Sequence, residues 1–278
     1  MKKRMLFMDL DGTLLNDAKQ ITDGNRAALE LALQRGHSAI ITTGRPLKSA
    51  MDQARLLGMD RPGCYLIAYN GAVIYDWTQQ KQIFARSLPY EVVHRVFDLT
   101  KERQEHIQTY DTWDVLVEAR CDDAAVRRYC QLIGMEFRVI DDVRTDLKEQ
   151  PVKCLVINYD RKPGLEQIQD WIRQNMAEEV DCFFSCEQYL EVVPKGMNKG
   201  EAVRMLCQMM GVDIADAVSV GDAANDLTMI EAAGIGVAMA NATDEVKAIA
   251  DYITTRENNH DGIAEVVERF FGEQAEKK

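Results

Sequence analysis

Two acids close a short apolar run near the start of the chain: in MKKRMLFMDLDGTLL, Met5, Leu6, Phe7, Met8 and Leu10 suit a sheet interior, and Asp9 and Asp11 stand at its end. Carboxylates two residues apart on an extended strand point to the same side and repel each other, which is no solution to packing. A cation must sit against them, and hard oxygen ligands at a crowded strand end suit Mg²⁺, a small octahedral ion that keeps several of its waters. Gly12 frees the backbone to turn, and the amides that follow can receive an anion such as a phosphoryl group. A second acidic strand end comes late in the chain, where Ala217–Val220 runs into Gly221-Asp222-Ala223-Ala224-Asn225-Asp226. Asp222, Asn225 and Asp226 are three and four apart and share a face on the first turn of a helix, so they can supply direct or supporting metal ligands.

Three further stretches carry groups suited to an anion. Thr42-Thr43-Gly44-Arg45-Pro46 closes a second strand with a hydroxyl that can donate to a phosphoryl oxygen and a guanidinium that can grip one. Tyr69-Asn70-Gly71-Ala72 follows a third strand and reads as a hairpin turn that also borders the site. Lys195-Gly196-Met197-Asn198-Lys199-Gly200 opens a helix, and a lysine at a helix start opposes the helix dipole, which signals a compensating anion. Lys199 is favoured over Lys195 because it abuts the helical run.

The elements that must position these groups alternate. A strand to Met8, a helix from Thr22 or Asp23 to Arg35 and a strand from His37 to Thr43 form a right-handed crossover, which places Asp9 beside Thr43 at the carboxyl end of parallel strands. Cys64–Ala68, Ala217–Val220, Gly234–Met239 and Tyr252–Thr254 extend that sheet, Leu227–Ala233 and Ile263–Phe271 read as helices, and the tail from Glu273 is expected to fray. Between about Gln82 and Cys186 the pattern changes to two strand-helix-strand units without acidic strand ends, the mark of a second domain that shapes a site without doing its chemistry. Residues 1–81 and 188–278 are thus expected to form a discontinuous catalytic core and residues 82–187 an inserted domain.

The chain has 278 residues with 46% apolar content, enough for two domains. Its 33 basic and 45 acidic residues leave a formal charge of -12, which disfavours nucleic acid and anionic membrane as partners. No segment reaches membrane-spanning length, the start is too short in apolar residues for a signal peptide, and seven scattered cysteines fit reduced thiols, so a cytoplasmic location is expected. Cys182 and Cys186 are too isolated a pair for zinc.

DLDGTLL, TTGRP, a lysine before glycine and GDAANDLTMI, in that order and across the whole chain, resemble the haloacid dehalogenase (HAD) superfamily. The Asn70-Gly71 turn and the insertion between the Arg45 region and Lys199 are similar to its subclass IIB, the Cof-like sugar-phosphate phosphatases. The resemblance implies an α/β fold, with a doubly wound, mainly parallel Rossmann-like core sheet and an inserted α/β cap domain. An independent check agrees: about thirty residues separate Asp11 from Thr43, room for one helical crossover and no cap. Ala223 and Ala224 depart from the small polar or glycine residues often found there, and His260 stands where relatives often carry an acid.

By the same resemblance Asp9 is the nucleophile that forms an aspartyl phosphate, and Asp11 protonates the leaving group and then activates water. Mg²⁺ is held by Asp9, the backbone carbonyl of Asp11 and Asp222, with Asn225 and Asp226 in support. Thr43 and Lys199 meet the transferring group, and Gly12, Gly44, Arg45, Asn70, Gly71 and Asn225 complete substrate binding. The superfamily's transporting ATPases have threonine at the place of Asp11, so an aspartate there favours rapid hydrolysis. A Mg²⁺-dependent phosphatase of small phosphorylated metabolites, sugar phosphates first, is expected to work as a monomer or weak homodimer. A phosphotransferase or mutase using the same intermediate, and a noncatalytic phospho-ligand-binding module, are the competing readings.

Overall fold

The computed structural model describes residues 2–272; the tail from Glu273 lies outside the described residues. The chain forms β1 (Met5–Met8), α1 (Asp23–Gln34), β2 (Ser38–Thr42), α2 (Leu47–Leu57), β3 (Cys64–Ala68), β4 (Val73–Asp76) and β5 (Lys81–Ala85). Then come α3 (Tyr90–Arg103), β6 (His106–Tyr110), β7 (Val115–Glu118), α4 (Ala124–Ile133), β8 (Phe137–Ile140), α5 (Val143–Asp146), β9 (Cys154–Ile157), α6 (Lys162–Asn175), β10 (Val180–Cys186) and β11 (Tyr189–Pro194). It closes with α7 (Lys199–Met210), β12 (Ala217–Gly221), α8 (Leu227–Ala232), β13 (Ile235–Ala238), α9 (Asp244–Ile249), β14 (Tyr252–Ile253) and α10 (Gly262–Phe270).

One compact unit comprises the residues up to Gly44, Ala50–Phe84 and those from Asn198 on; the other comprises Arg45–Ser49 and Ala85–Met197. The first holds an eight-stranded sheet in the order β14-β13-β12-β1-β2-β3-β4-β5. Its centre is parallel, with β1 between β12 and β2, and every residue of β1, β2, β3 and β12 is buried. That explains their composition: a parallel strand covered on both faces reads as a near-continuous apolar run, broken here by the buried hydroxyls of Ser38, Thr42 and Ser219, and each large aliphatic side chain so buried contributes about 1.5–3 kcal/mol. Met8 is in register with Val220 on one side and Ile41 on the other, so the carboxyl ends of β1, β2 and β12 lie together, and the Asp9 amide donates to the Val220 carbonyl at 3.0 Å. The loops that leave those ends carry the acids and hydroxyls.

Helix starts follow local chemistry. Thr22 caps α1 by accepting from the Asn25 amide at 3.4 Å, and Asn198 caps α7 by accepting from the Glu201 amide at 2.9 Å. Gly211 ends α7 at φ 64, a left-handed conformation that glycine adopts without a Cβ penalty.

The second unit contains the two expected strand-helix-strand units, β7-α4-β8 and β9-α6-β10, and adds further elements to them. Its six-stranded sheet is ordered β10-β11-β9-β6-β7-β8, and neighbouring strands are antiparallel except at β7–β8. β7-α4-β8 is one crossover, and β9-α6-β10, whose strands both pair antiparallel with β11 and so run parallel to each other, is the second. Residues Leu190–Pro194, where the chain is expected to return to the first domain, belong to β11 and pair with β10 and β9. The sequence reading also misses α3 and β6. Pro89 begins α3 without any side-chain cap, and its helical stripe of Val92, Val93, Val96 and Phe97 is the remaining signal.

Candidate active site

Lys199 is the first residue of α7, and its side chain is fully buried. Its Nζ donates to Asp9 Oδ1 at 2.5 Å and to Asp226 Oδ1 at 2.6 Å. Burial alone would pull the ammonium down, but the carboxylates of Asp226 and Asp9 outweigh it and hold Lys199 above the ordinary lysine range. Asp9 is pushed well above the usual carboxylate range, by burial first and against the pull of Lys199, with Asp226 and Asp222 adding repulsion. Asp222 is raised to about 6, by burial first, while a hydrogen bond from Thr13 opposes the rise.

Asp9, Asp222 and Asp226 can each offer an oxygen such that the three lie within 4.8 Å of one another. Three carboxylates around one ammonium leave an excess of negative charge in a buried place, which a divalent cation would relieve. The donor set fits Mg²⁺, and the hydrogen bonds decide which oxygens remain for it. Asp226 is committed: Oδ1 takes Lys199, and Oδ2 accepts from the amides of Asp222 and Ala223 at 3.0 Å each. Asp222 Oδ1 accepts from Thr13 Oγ1 at 2.6 Å. Asp9 Oδ2 and Asp222 Oδ2 therefore carry no hydrogen bond among the described residues and are open to a further ligand. Gly12 is required beside them: its φ is +86, and an added Cβ would come within 2.5 Å of Asp222 Oδ2.

Asp11 adds its charge to the repulsion at Asp222 but is not one of the three clustered acids. Its Oδ1 accepts from Lys19 Nζ at 2.8 Å. The loop that carries it is laced back on β1, with the Leu14 amide on the Asp9 carbonyl at 3.2 Å and the Leu15 amide on the Leu10 carbonyl at 2.9 Å. Asn241 Nδ2 also donates to the Gly12 carbonyl at 2.8 Å.

On the β2 side, the Thr43 amide donates to the Ile67 carbonyl at 2.8 Å, and the Thr43 carbonyl accepts from the Asn70 amide at 3.1 Å. This ties the end of β2 to the turn after β3. β3 and β4 pair antiparallel with Ala68 opposite Val73, so the turn closes a hairpin as expected; it runs through Tyr69 at φ 52 and Asn70 at φ 54. Asn70 is buried, its Oδ1 accepts from Asn225 Nδ2 at 3.4 Å, and its Nδ2 is a buried donor with no partner among the described residues. A Cβ at Gly44 would lie 3.0 Å from Asn70 Oδ1, and one at Gly71 would collide with the Asn198 carbonyl oxygen, so both glycines permit close backbone approach. Asp9, Asp222, Asp226 and Lys199 are thus brought together, as are Gly44, Asn70 and Asn225. Arg45 falls in the second unit, and Lys195 pairs with Asp181 at 2.9 Å.

Sequence reasoning did not single out Lys19, Asn198 or Asn241. Asn198, an N-cap residue three before Glu201, could have been found from its capping pattern, whereas nothing near Lys19 or Asn241 in the sequence announces their distant partners.

A buried lysine and three carboxylates at the carboxyl ends of the central strands form a site whose donors fit a divalent cation and phosphoryl-group chemistry. The family model for haloacid dehalogenase-like hydrolases matches residues 6–267. A haloacid dehalogenase-like hydrolase of Bacteroides thetaiotaomicron is 32% identical, with a TM-score of 0.88 over 96% of this chain and 99% of that one. The 5-amino-6-(5-phospho-D-ribitylamino)uracil phosphatase YitU of Bacillus subtilis is 28% identical over 97% of this chain and 98% of its own. The HAD subclass IIB sugar phosphatase BT4131 shares the fold, with a TM-score of 0.81 at 22% identity over 96% of this chain and 98% of that one. The chain belongs to the haloacid dehalogenase superfamily and is an enzyme of its phosphatase type. No helix among the described residues is long and apolar enough to cross a membrane.

Proposed function

We propose that the protein is a Mg²⁺-dependent phosphatase of small phosphorylated metabolites that works through an aspartyl phosphate on Asp9. The observation that carries this reading is the division of labour at the buried cluster: Lys199 takes one oxygen of Asp9 and fixes Asp226, leaving Asp9 Oδ2 and Asp222 Oδ2 uncommitted. Mg²⁺, held by Asp9, the Asp11 carbonyl and Asp222, with Asn225 and Asp226 behind them, would supply charge neutralisation between carboxylate and phosphate.

The chain's own groups do the rest. Asp9 Oδ2 attacks phosphorus as the bond to the leaving oxygen breaks, and Asp11 gives its proton to that oxygen. Asp11, now ionised, takes a proton from the water that attacks the aspartyl phosphate, the phosphorus–Oδ2 bond breaks, and inorganic phosphate and free Asp9 result. Lys199, Thr43, Asn225 and the amides from Gly12 onward meet the charge on the phosphoryl oxygens. The leaving group is met by Arg45, Gly44, Gly71 and Asn70, whose unpartnered Nδ2 is a donor awaiting an acceptor. The inserted unit, by the family resemblance, is expected to govern substrate selectivity.

Sugar phosphates are the first substrate class. YitU, by its name, acts on a compound phosphorylated on a ribityl chain, which supports a phosphorylated polyol or sugar here. Phosphate release from sugar phosphates, nucleotides and p-nitrophenyl phosphate, with Mg²⁺ or EDTA, tests the reading. Turnover that EDTA abolishes and Asp9→Asn abolishes is expected. A folded protein silent on every substrate, or one that moves label to a second hydroxyl without releasing phosphate, would contradict it.

A further inference from the structure

Lys19 follows the Asp9–Asp11 motif by eight residues, and its Nζ donates to Asp11 Oδ1 at 2.8 Å. The two side chains are 58% and 38% exposed, so the pair contributes little to stability. The backbone nevertheless holds Lys19 in place with unusual care. It lies at φ 59, a conformation that residues with a side chain rarely adopt. Its amide donates to the Asn16 carbonyl at 2.9 Å, while the Asn16 amide donates to the Gln20 carbonyl and the Gln20 amide to Asn16 Oδ1, each at 2.9 Å.

That turn is clamped from the loop between β14 and α10. Asn259 Oδ1 accepts from the Asp17 amide at 3.0 Å, and Asn259 Nδ2 donates to Asp17 Oδ2 at 3.1 Å. Asn258, itself buried, donates through Nδ2 to the Leu15 carbonyl at 3.0 Å and to Asp17 Oδ1 at 3.3 Å. A solvated lysine needs none of this. We infer that Lys19 is a positioning residue for Asp11: the clamped turn presents its ammonium at a fixed point, and the ammonium fixes the orientation of the Asp11 carboxyl. The inference rests on the reading of Asp11 as the acid and base. A proton-transfer group must be aimed before the transition state is reached, and a misplacement of about 1 Å is enough to slow a reaction severely.

The test compares Lys19→Met, Lys19→Arg, Asp11→Asn and the double variant Asp11→Asn/Lys19→Met, with the best alkyl phosphate as substrate and melting curves to confirm folding. Lys19→Met is expected to lower kcat about ten-fold with KM changed less than about two-fold, and Lys19→Arg to restore most of kcat. The double variant is expected to be no slower than Asp11→Asn, because the two act as one unit. An unchanged kcat in Lys19→Met, a rise confined to KM, or losses that multiply in the double variant would overturn the role of Lys19. An Asp11→Asn variant as fast as the parent would instead remove the acid/base reading itself, and the positioning role with it.

Discussion

Asp222 shows how individual residues set the site's response to pH. Its carboxyl is raised from 3.8 to about 6 in the folded protein, chiefly by burial. A carboxyl whose folded pKa exceeds its unfolded value binds its proton more tightly when folded, so its contribution to stability is full below about pH 4 and is lost as pH rises through about 6. Mg²⁺ must find this oxygen ionised, so the ion competes with protons below that range and meets a ready ligand above it. The rise in melting temperature on adding Mg²⁺ is therefore expected to be larger at about pH 7.5 than at about pH 5, and equal shifts would contradict the assignment of Asp222 as a ligand. Thr13→Val removes the hydroxyl that orients Asp222 at 2.6 Å and is expected to weaken Mg²⁺ about ten-fold in the same assay.

At the level of elements, α7 is what delivers Lys199 to Asp9, and its seat against α8 is a glycine. The Gly200 amide donates to Thr228 Oγ1 at 3.2 Å, and a Cβ at this position would collide with the Thr228 carbonyl oxygen. Alanine in a helix is ordinarily worth about 0.5–1 kcal/mol over glycine, but forcing atoms into a packed backbone contact costs about 1–3 kcal/mol. The clash prevails, so Gly200→Ala is expected to lower stability in urea unfolding by about 1–2 kcal/mol net and to displace Lys199; a stabilised variant would show that the two helices can part freely. The sequence disclosed α7 and its lysine because the charge opposes the helix dipole, and it disclosed β1, β2, β3 and β12 because fully buried strands are largely apolar, here broken by Ser38, Thr42 and Ser219. It hid α3, which starts without a side-chain cap, and β6, whose buried His106, Gln108 and Thr109 look like a polar loop.

For the molecule as a whole, a formal charge of -12 sets the problem that the site solves locally. An anionic protein that takes an anionic substrate needs positive charge where phosphate lands; Lys199, paired with both Asp9 and Asp226, leaves the cluster negative, so the proposed function requires the cation to supply the rest. The clustering of Asp9, Asp222, Asp226 and Lys199 was legible because strand ends and helix starts are local features. The clamp that joins the Lys19 turn to Asn258 and Asn259 was not, because it spans residues some 240 apart in sequence. All of these parts converge on one covalent event at Asp9. In a rapid quench with the best substrate and Mg²⁺, followed by borohydride reduction and peptide mass spectrometry, the account predicts reduction of residue 9 to homoserine, absent with EDTA and in Asp9→Asn. Phosphate release during the same turnover with residue 9 never modified would contradict it.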